Sequence, residues 1–385
     1  MASPKVLFYV QHLLGIGHLA RASRIAAALV AEGFSVTMVT GGLPLDGFPA
    51  KGIDHVQLEP AVTAGDGFSR LKDAAGNPVD AAAEARRREQ LLAVFRARQP
   101  DIVIIEAFPF GRRQVRFELV PLLEEIGRSR PRPLVFTSVR DILQENRKPG
   151  RDEETVALVK SHFDGVLVHG DPNFVRLEET FPLAGEIADK VSYTGLVAPP
   201  APEWREAEFE VIVSAGGGAV GARLIEAAIA AYPGLPPLGR WCVITGPNLD
   251  QAEMDRLTRM APPEIEILRF RKDFPGLLGQ ARLSLSQAGY NTVCDILRAR
   301  CRAVLIPFAA GGETEQTTRA EKLQALSLAV SVDEATLSPE ALVEAIPAAL
   351  VLDPEKEVPL RLDGAHRTAL ILRDFLEARA LPASP

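Results

Sequence analysis

A glycine-rich turn that contains a histidine follows the first apolar run of the sequence. The run Lys5–Val10 has the composition of a buried strand, and the segment 15–21 (GIGHLAR) leads from it into an Ala-rich helical stretch. Glycines at such a turn allow a ligand to approach closely, and a helix N-terminus favours anions. Imidazole titrates near neutrality and can accept a proton from an attacking hydroxyl or water. We therefore predict that His18 is a catalytic base; the alternative is a histidine that caps or packs the helix.

The turn differs from the G-x-G-x-x-G pattern of dinucleotide-binding folds. Ala20 occupies the position of the third glycine, and Gly41 and Gly42 replace the acidic residue that is expected after the second strand. These departures argue against a bound dinucleotide, and we predict that the protein uses no cofactor.

A second glycine-rich loop, 214–221 (SAGGGAVG), lies between a strand-like run and a helical segment. Its four glycines within six positions exceed what a tight turn needs. Closely approaching backbone amides can bind a diphosphate without a metal ion. We predict that Gly216, Gly217 and Gly218 bind the phosphates of a nucleotide; a plain turn is the alternative.

Two polar segments follow later strand-like runs. In 286–295 (SQAGYNTVCD), Asp295 lies one helical turn after Asn291, so both side chains face one side of a helix. The Asp295 carboxylate is a candidate for binding ribose hydroxyls; the alternative is a solvated helix residue. The segment 307–319 (PFAAGGETEQTTR) is either a site for sugar hydroxyls or an ordinary helix start whose dipole favours its glutamates.

The sequence has no Asp-x-Asp pair, which is the usual means of fixing a divalent ion beneath a nucleotide diphosphate. We therefore predict catalysis without a metal, with charge stabilised by amides, helix dipoles and Arg side chains.

The composition indicates a globular enzyme. The 385 residues carry a net charge of −7, whereas nucleic-acid binding needs a basic surface. No apolar stretch approaches the ~18 residues of a membrane span, and the N-terminus lacks the pattern of a signal peptide. Three cysteines without metal-ligand spacing indicate small buried side chains in a reducing compartment. We expect a cytoplasmic protein; contact with the inner face of a membrane stays open, because Leu13, Leu14 and Ile16 are apolar.

Short apolar runs alternate with helical segments along the chain, which predicts an α/β fold of two Rossmann-like, doubly wound parallel-sheet domains. The predicted boundaries are 1–198 for the first domain, 199–208 for a Pro-rich linker, 209–363 for the second domain and 364–385 for a C-terminal helix and tail. The segment 61–81 is Gly-rich and polar, and we predict a loop there. The predicted strands are Lys5–Val10, Ser35–Val39, Asp101–Glu106, Pro133–Ser138, Gly165–His169, 209–213, Trp241–Thr245, Ile265–Leu268, Leu283–Ser286, Ala303–Ile306 and Leu328–Val332.

Polar residues follow three predicted strands of the first domain, at the edge where parallel sheets bind ligands. Glu106 is the alternative catalytic base, because a carboxylate beside Phe108 and Phe110 would have a raised pKa. The other members of these clusters are either acceptor-binding residues or solvated surface residues. They are Arg112, Arg113, Arg140, Asp141, His169 and Asp171.

In these segments the chain resembles the GT-B glycosyltransferases, in particular the MurG-like branch that adds N-acetylglucosamine to a lipid-linked acceptor. GIGHLARA and AGGGAVGAR are similar to the two glycine-rich loops of that family. SQAGYNTVCDIL is similar to the segment whose helix carboxylate binds the donor ribose, which implies this role for Asp295. IPFAAGGETEQ is similar to the loop whose paired glutamines hold the donor sugar, which implies this role for Glu315 and Gln316. Because Glu315 replaces one glutamine, the identity of the sugar is not carried over.

The resemblance implies an inverting, metal-independent transfer from a UDP-linked sugar, with the two domains facing each other across a cleft. The partners would be the UDP-sugar and an acceptor that is lipid-linked or a small molecule. Phe270 would cap the uracil; the alternative is a core residue at a strand end. The implied donor-binding residues are Gly216, Gly217, Gly218, Phe270, Gly289, Asn291, Thr292, Asp295, Glu313, Glu315 and Gln316. The acceptor-binding candidates are Gly15, Gly17, Arg21, Arg112, Arg113, Arg140 and Asp141.

Three other functions remain open at this point. The pattern G-x-G-H-x-x-R also resembles the UDP-sugar hydrolases of nonulosonic acid synthesis, in which water replaces the acceptor. A nucleotide-sugar epimerase would need two carboxylates around the sugar, and Glu313 and Glu315 are candidates. A binding protein without turnover would leave His18 without a use.

Overall fold

The computed structural model describes residues 3–13, 17–45, 47–50, 52–63, 71–144, 148–203, 206–216, 221–246, 249–271, 273–309 and 312–380. The chain forms two compact units. Unit 1 contains the residues up to Val197 and those from Leu360 onward, and unit 2 contains Ala198–Pro359.

Within the described residues, unit 1 has a parallel sheet of seven strands with helices between them. Its strands are β1 (Lys5–Val10), β2 (Ser35–Thr40), β3 (Asp54–Gln57), β6 (Ile102–Glu106), β7 (Leu134–Arg140), β8 (Gly165–His169) and β9 (Val191–Tyr193), and β4 (Val62–Thr63) pairs with β5 (Leu71–Lys72) outside this sheet. Its helices are α1 (Gly17–Ala31), α2 (Ala81–Arg98), α3 (Arg116–Arg128), α4 (Arg151–His162) and α11 (Gly364–Ala380). The strand order is β3-β2-β1-β6-β7-β8-β9.

The sequence accounts for these elements. β1 and β6 are apolar along almost their whole length because both faces of a parallel sheet are covered. The buried residues of α1 recur every three or four positions, including Leu19, Ala22, Ala26 and Leu29, so one stripe of this helix is buried. α2 begins after Asp80, whose side chain accepts a hydrogen bond from the Ala83 amide at 2.8 Å.

Unit 2 has a parallel sheet of six strands within the described residues. Its strands are β10 (Val211–Ser214), β11 (Trp241–Ile244), β12 (Ile265–Leu268), β13 (Leu283–Ser286), β14 (Arg302–Leu305) and β15 (Val330–Ser331). Its helices are α5 (Ala222–Ala231), α6 (Gln251–Met260), α7 (Phe274–Gln280), α8 (Tyr290–Ala299), α9 (Glu315–Ala325) and α10 (Pro339–Leu350). The order β12-β11-β10-β13-β14-β15 is the 3-2-1-4-5-6 order of Rossmann folds.

The C-terminal segment belongs to unit 1. The amide of Leu196 donates to the Arg361 carbonyl at 2.8 Å, and the amide of Gly364 donates to the Leu196 carbonyl at 3.0 Å. α11 packs against α1, and the Phe375 ring lies edge-on to Phe136 with 5.0 Å between ring centroids. The structure thus places 360–363 with unit 1, whereas the sequence grouped these residues with the second domain.

The α/β class and the two parallel-sheet domains are confirmed. β3 and β9 were not predicted, because short edge strands of mixed polarity such as DHVQ and VSY carry little periodicity. The loop prediction for 61–81 is wrong in part, since this segment contributes β4 and β5. The segment predicted as a linker, 199–208, lies within unit 2 where it is described.

All three cysteines are buried, and burial raises the pKa of Cys242 and Cys301 to about 12. None of the helices in the described ranges combines the length and hydrophobicity that a membrane-spanning helix needs.

Candidate active site

The unit 1 sheet changes winding direction between β1 and β6. These strands are neighbours, but the chain continues from β1 to β2 on one side and from β6 to β7 on the other. Doubly wound sheets bind ligands outside the carboxyl ends of the strands at such a switch point. α1 begins at Gly17, shortly after β1, and Glu106 is the last residue of β6. His18 and Glu106, the two predicted candidates for the base, therefore meet at this edge.

His18 and Glu106 form a hydrogen-bonded pair. Nδ1 of His18 lies 3.0 Å from Oε1 of Glu106, and a guanidinium nitrogen of Arg21 contacts the same oxygen. His18 and Arg21 are three positions apart on α1, so their side chains share one face of the helix. Glu106 and Arg21 are buried, whereas the His18 side chain is 19% exposed. Of this pair, only the histidine has side-chain surface in contact with solvent.

The Glu106 carboxyl is ionised at neutral pH. Burial by itself raises its pKa, but the Arg21 charge and the hydrogen bonds from His18 and Ser138 outweigh burial and lower the pKa to about 2. The prediction of a raised Glu106 pKa is therefore wrong. The apolar neighbour Phe108 is buried as expected, but the cation decides the protonation state.

The His18 ring is neutral at neutral pH. Burial lowers its pKa, the Arg112 charge lowers it further, and the hydrogen bond to Glu106 only partly opposes this, so the pKa is about 3. Because an ionised carboxylate accepts a hydrogen bond at Nδ1, the ring hydrogen sits on Nδ1 and Nε2 carries the lone pair. This tautomer is the one that can accept a proton at Nε2.

A chain of hydrogen bonds continues behind the carboxylate. Ser138 Oγ on β7 donates to Glu106 Oε2 at 2.5 Å and lies 2.9 Å from His169 Nε2 on β8. His169 Nδ1 lies 2.9 Å from Thr194 Oγ1. Ser138, His169 and Thr194 are all buried. The sequence indicated His169 only as a possible acceptor residue, and nothing in the periodicity pointed to Ser138.

The turn after Glu106 has an uncommon backbone. Ala107 and Arg112 have φ values of 65° and 57°, in the left-handed region that disfavours residues with a Cβ. Each residue held in this conformation costs on the order of 1–3 kcal/mol of folding free energy, and such conformations cluster at functional sites. Here the turn lets the Arg112 Nε donate to the Gln11 carbonyl at 2.9 Å, at the end of β1. Burial and then the nearby Arg140 lower the pKa of Arg112 to about 10.

The predicted acceptor residues of unit 1 separate into several groups. Arg21 is a buried counter-ion of Glu106, so its guanidinium is engaged by the catalytic carboxylate. Arg113 turns toward α4, where it contacts Glu154 and donates to Thr155 Oγ1 at 2.9 Å. Arg140 ends β7, and the buried Asp141 accepts from the Ile142 amide at 2.9 Å. Gly17 is the first residue of α1, and Gly15 lies outside the described residues.

A cavity of about 270 Å³ lies beside the loops that follow β6, β7 and β8. The Phe110 and Phe181 rings on its wall meet edge-on, with 5.1 Å between centroids. The polar lining includes Gln144, Asp152 and Thr180. The cavity has no signal in the sequence, because its lining comes from separate loops and from α4.

A second buried ionic network supports the same edge. Arg87 on α2 donates to both carboxylate oxygens of Glu118 on α3, at 2.7 and 3.0 Å. Tyr9 contacts the same carboxylate, and Gln11 Oε1 accepts from Arg87 at 3.0 Å. The sequence gives no sign that Arg87 and Glu118 are buried together, because both lie in helices that are rich in charged residues.

Unit 2 has its own switch point, between β10 and β13. Gly216 follows β10 with a φ of 71°, and a Cβ added there would lie 2.5 Å from Gln287 Oε1. A Cβ added at Gly221 would lie 2.2 Å from the Ala215 Cβ. Both positions therefore require glycine, one for backbone conformation and one for close packing. Gly217 and Gly218 lie outside the described residues.

The other predicted donor residues surround the same edge of the unit 2 sheet. Gly289 precedes α8, and Asn291 and Thr292 lie half-buried in its first turn. Asp295 is one turn further along and is buried, so the alternative of a solvated residue is wrong. Phe270 follows β12 with 56% of its side chain exposed, so it is not a core residue.

The first turns of α9 contain a buried ion pair. Arg319 Nη2 donates to Glu315 Oε1 at 2.7 Å, and both side chains are buried. Arg319 also donates to the Ala288 carbonyl at 2.8 Å, which joins α9 to the turn before α8. Gln316 Oε1 accepts from the Phe308 amide at 3.1 Å, and Glu313 is half-buried. Glu315, predicted as a donor-binding residue, thus also has a structural partner in Arg319.

Among the described residues, no group of three or more His, Cys, Asp and Glu side chains is arranged to hold a metal ion.

Comparison with known proteins agrees with this architecture. Residues 212–359 match the glycosyltransferase family 28 C-terminal domain. A UDP-N-acetylglucosamine–N-acetylmuramyl-(pentapeptide) pyrophosphoryl-undecaprenol N-acetylglucosamine transferase from Leuconostoc mesenteroides is 27% identical over 138 residues, which are 34% of this chain and 38% of the relative. The chain spans about half the length of the curated relatives it matches, or less.

Two solved structures superpose on nearly the whole chain. The calicheamicin glycosyltransferase CalG4 has a TM-score of 0.64 at 17% identity and covers 100% of both chains. MurG from Acinetobacter baumannii has a TM-score of 0.60 at 17% identity, with 97% of this chain and 99% of that one covered. The chain therefore has the GT-B fold, and residues 212–359, which lie within unit 2, are similar to the family 28 C-terminal domain.

Proposed function

We propose, from the GT-B fold and the family 28 domain, that this protein is a glycosyltransferase that moves a sugar from a UDP-linked donor to a hydroxyl or amine. The observation that carries this proposal is the His18–Glu106 pair at the switch point of unit 1. A neutral imidazole with its lone pair on Nε2, and with a buried ionised carboxylate at Nδ1, has the arrangement of a general base.

His18 Nε2 takes the proton from the acceptor as its oxygen or nitrogen attacks the anomeric carbon of the donor. The bond from that carbon to the UDP oxygen breaks at the same time, so the anomeric configuration inverts. The imidazolium formed on His18 is stabilised by the Glu106 carboxylate, which is 3.0 Å from Nδ1 and stays ionised because of Arg21.

Unit 2 binds the donor in this proposal. The positive φ of Gly216 opens a close backbone approach after β10, where the diphosphate would accept hydrogen bonds from amides. Asp295 would bind the ribose and the exposed Phe270 ring would stack on the uracil. These groups stabilise the departing UDP without a metal ion.

The acceptor binds to unit 1. Arg112 lies near His18, and Arg140 lies near Arg112. Two classes of acceptor are compatible with these cationic groups: a pyrophosphoryl lipid like the one in the Leuconostoc relative's name, and an anionic small molecule. A lipid-linked acceptor would bring the protein to a membrane surface, and sedimentation with vesicles that contain the lipid separates the two classes.

The decisive experiment measures UDP release from a panel of UDP-sugars, with and without candidate acceptors. We expect acceptor-dependent release that His18→Ala lowers about 10²- to 10⁴-fold, the usual contribution of a general base. UDP affinity by calorimetry should not change. His366→Ala is the matched control, because that histidine lies on the exposed side of α11.

Three outcomes contradict the proposal: no heat with UDP, full activity of His18→Ala, or rapid release of free sugar without an acceptor, which indicates a hydrolase. Retained activity in EDTA supports metal independence. The anomeric coupling constant of the product by NMR decides whether the configuration inverts.

A further inference from the structure

The carboxylate that faces His18 is held by groups from α1 and β7, and a residue of β8 lies behind them. Glu106 Oε1 accepts from His18 and contacts Arg21, and Oε2 accepts from Ser138 at 2.5 Å. Behind Ser138 lies His169, a buried titratable residue that the mechanism above does not use.

The hydrogens in this chain follow from the charge on Glu106. An ionised carboxylate only accepts, so the Ser138 hydroxyl must donate its one hydrogen to Oε2. Ser138 Oγ can then only accept from His169 Nε2, at 2.9 Å. Burial, with a further contribution from Arg21, lowers the pKa of His169 to about 3, so the ring is neutral and has a single N–H. That hydrogen is on Nε2, and Nδ1 lies 2.9 Å from the Thr194 hydroxyl, which is also 2.9 Å from the Gly195 carbonyl.

We propose that Ser138 and His169 are positioning residues that fix the Glu106 carboxylate, and through it the Nδ1–H tautomer of His18. This inference rests on the proposed function for its effect on turnover. The His169 N–H and the Ser138 hydroxyl both donate toward the carboxylate, so the first hydrogen bond polarises the second.

The strand register explains why three strands contribute. β6, β7 and β8 are adjacent parallel strands, with Glu106 paired to Ser138 and Arg140 paired to His169. Their carboxyl ends therefore place these side chains at one edge of the sheet. The charged and titratable groups that face Glu106 are His18 and Arg21 from α1, Arg112 from the following turn and His169 from β8.

Ser138→Ala tests the proposal, and Thr137→Val is the matched control. Thr137 is the buried neighbour on β7, and its hydroxyl has no hydrogen-bond partner among the described residues. Ser138→Ala removes a hydrogen bond to an ionised carboxylate, and such bonds are stronger than those between neutral groups. We therefore expect this variant to lower kcat about 10- to 100-fold. The donor KM should stay the same, and Thr137→Val should keep full activity.

A second readout needs no substrate. In protein labelled with ¹³C at glutamate carboxyls, Ser138→Ala should raise the pKa of Glu106, because the anion loses a donor. His169→Phe should act in the same direction with a smaller effect, and the two substitutions together should be non-additive. Ser138→Thr keeps the hydroxyl and should restore the Glu106 pKa.

The melting temperature shows whether Ser138→Ala is folded. The proposal is overturned if the folded variant has the same Glu106 pKa as Thr137→Val. If it does not fold, an unchanged Glu106 pKa in His169→Phe overturns the proposal equally. If the proposed glycosyltransferase function is wrong, the unaltered protein will show no turnover. The Glu106 titrations would still test the positioning roles of Ser138 and His169.

Discussion

The two units have the same central strand order but different chemistry at their switch points. In unit 1, the edge between β1 and β6 is occupied by His18, Glu106 and Arg21. In unit 2, the corresponding edge lies between β10 and β13. Positions 216 and 221 near it must be glycine, because a Cβ at either one would clash with its neighbours. The same scaffold therefore presents proton-transfer groups in one unit and accessible backbone in the other. In the proposed function, unit 1 carries out proton transfer and unit 2 binds the diphosphate. Substitutions in one unit therefore test one role without changing the other.

Each unit also has a buried Glu–Arg pair at this edge, and their loss should have different results. Glu106→Gln should lower turnover about 10²- to 10⁴-fold, because the His18 tautomer and the charge that stabilises the imidazolium are both lost. Glu315→Gln should lower the free energy of unfolding by about 3–5 kcal/mol, because the buried Arg319 guanidinium loses the negative charge of the Glu315 carboxylate. Kinetics and urea unfolding of both variants measure this contrast. An equal loss of turnover in both would contradict it.

Acid should destabilise unit 1 through its histidines. His18 and His169 have pKa values of about 3 in the folded protein, against about 6.5 when unfolded. Between these values the unfolded chain binds two protons that the folded chain does not, so the free energy of unfolding falls as pH falls. The slope from these two residues is about 2.7 kcal/mol per pH unit. Urea unfolding at pH 7, 6 and 5 measures it.

His169→Gln is the control for that titration, because glutamine does not titrate. It should reduce the slope by about half of this contribution. An unchanged slope would show that His169 is not held neutral in the folded state.

Gly216→Ala should weaken UDP binding about 10- to 100-fold. The alanine Cβ would lie 2.5 Å from Gln287 Oε1 at a φ of 71°, so the loop after β10 must shift. Gly276→Ala is the matched control, since a Cβ there meets nothing within 4 Å and its helix, α7, tolerates alanine. Calorimetry with UDP should show the loss in the first variant and full affinity in the second.

Phe270→Ala should have the smallest effect, a loss of about 3- to 10-fold in UDP affinity, because one stacked aromatic ring contributes about 0.5–1.5 kcal/mol. Its stability should hardly change, since 56% of the side chain is exposed. Val351→Ala is a control at another exposed apolar residue of unit 2. Equal affinity of both variants for UDP would remove Phe270 from the donor site.

The sequence predicted most of the sheet strands and the edge at which His18 and Glu106 lie, because hydrophobic runs and glycine turns are local signals. It failed for short edge strands and where the answer depended on tertiary packing. Glu106 was assigned a raised pKa from its aromatic neighbours, but Arg21, 85 positions away, decides its charge. The Arg87–Glu118 and Arg319–Glu315 pairs look like ordinary surface helix residues until the packing is known.

The return of the chain to unit 1 after Leu360 has a practical consequence for dissecting the protein. A fragment that ends near Val197 would lack α11, and the stripe of α1 that packs against this helix would be exposed to water. Such a fragment is expected to aggregate. Ala198–Pro359, in contrast, is continuous in sequence and is the piece to express separately for nucleotide-binding measurements.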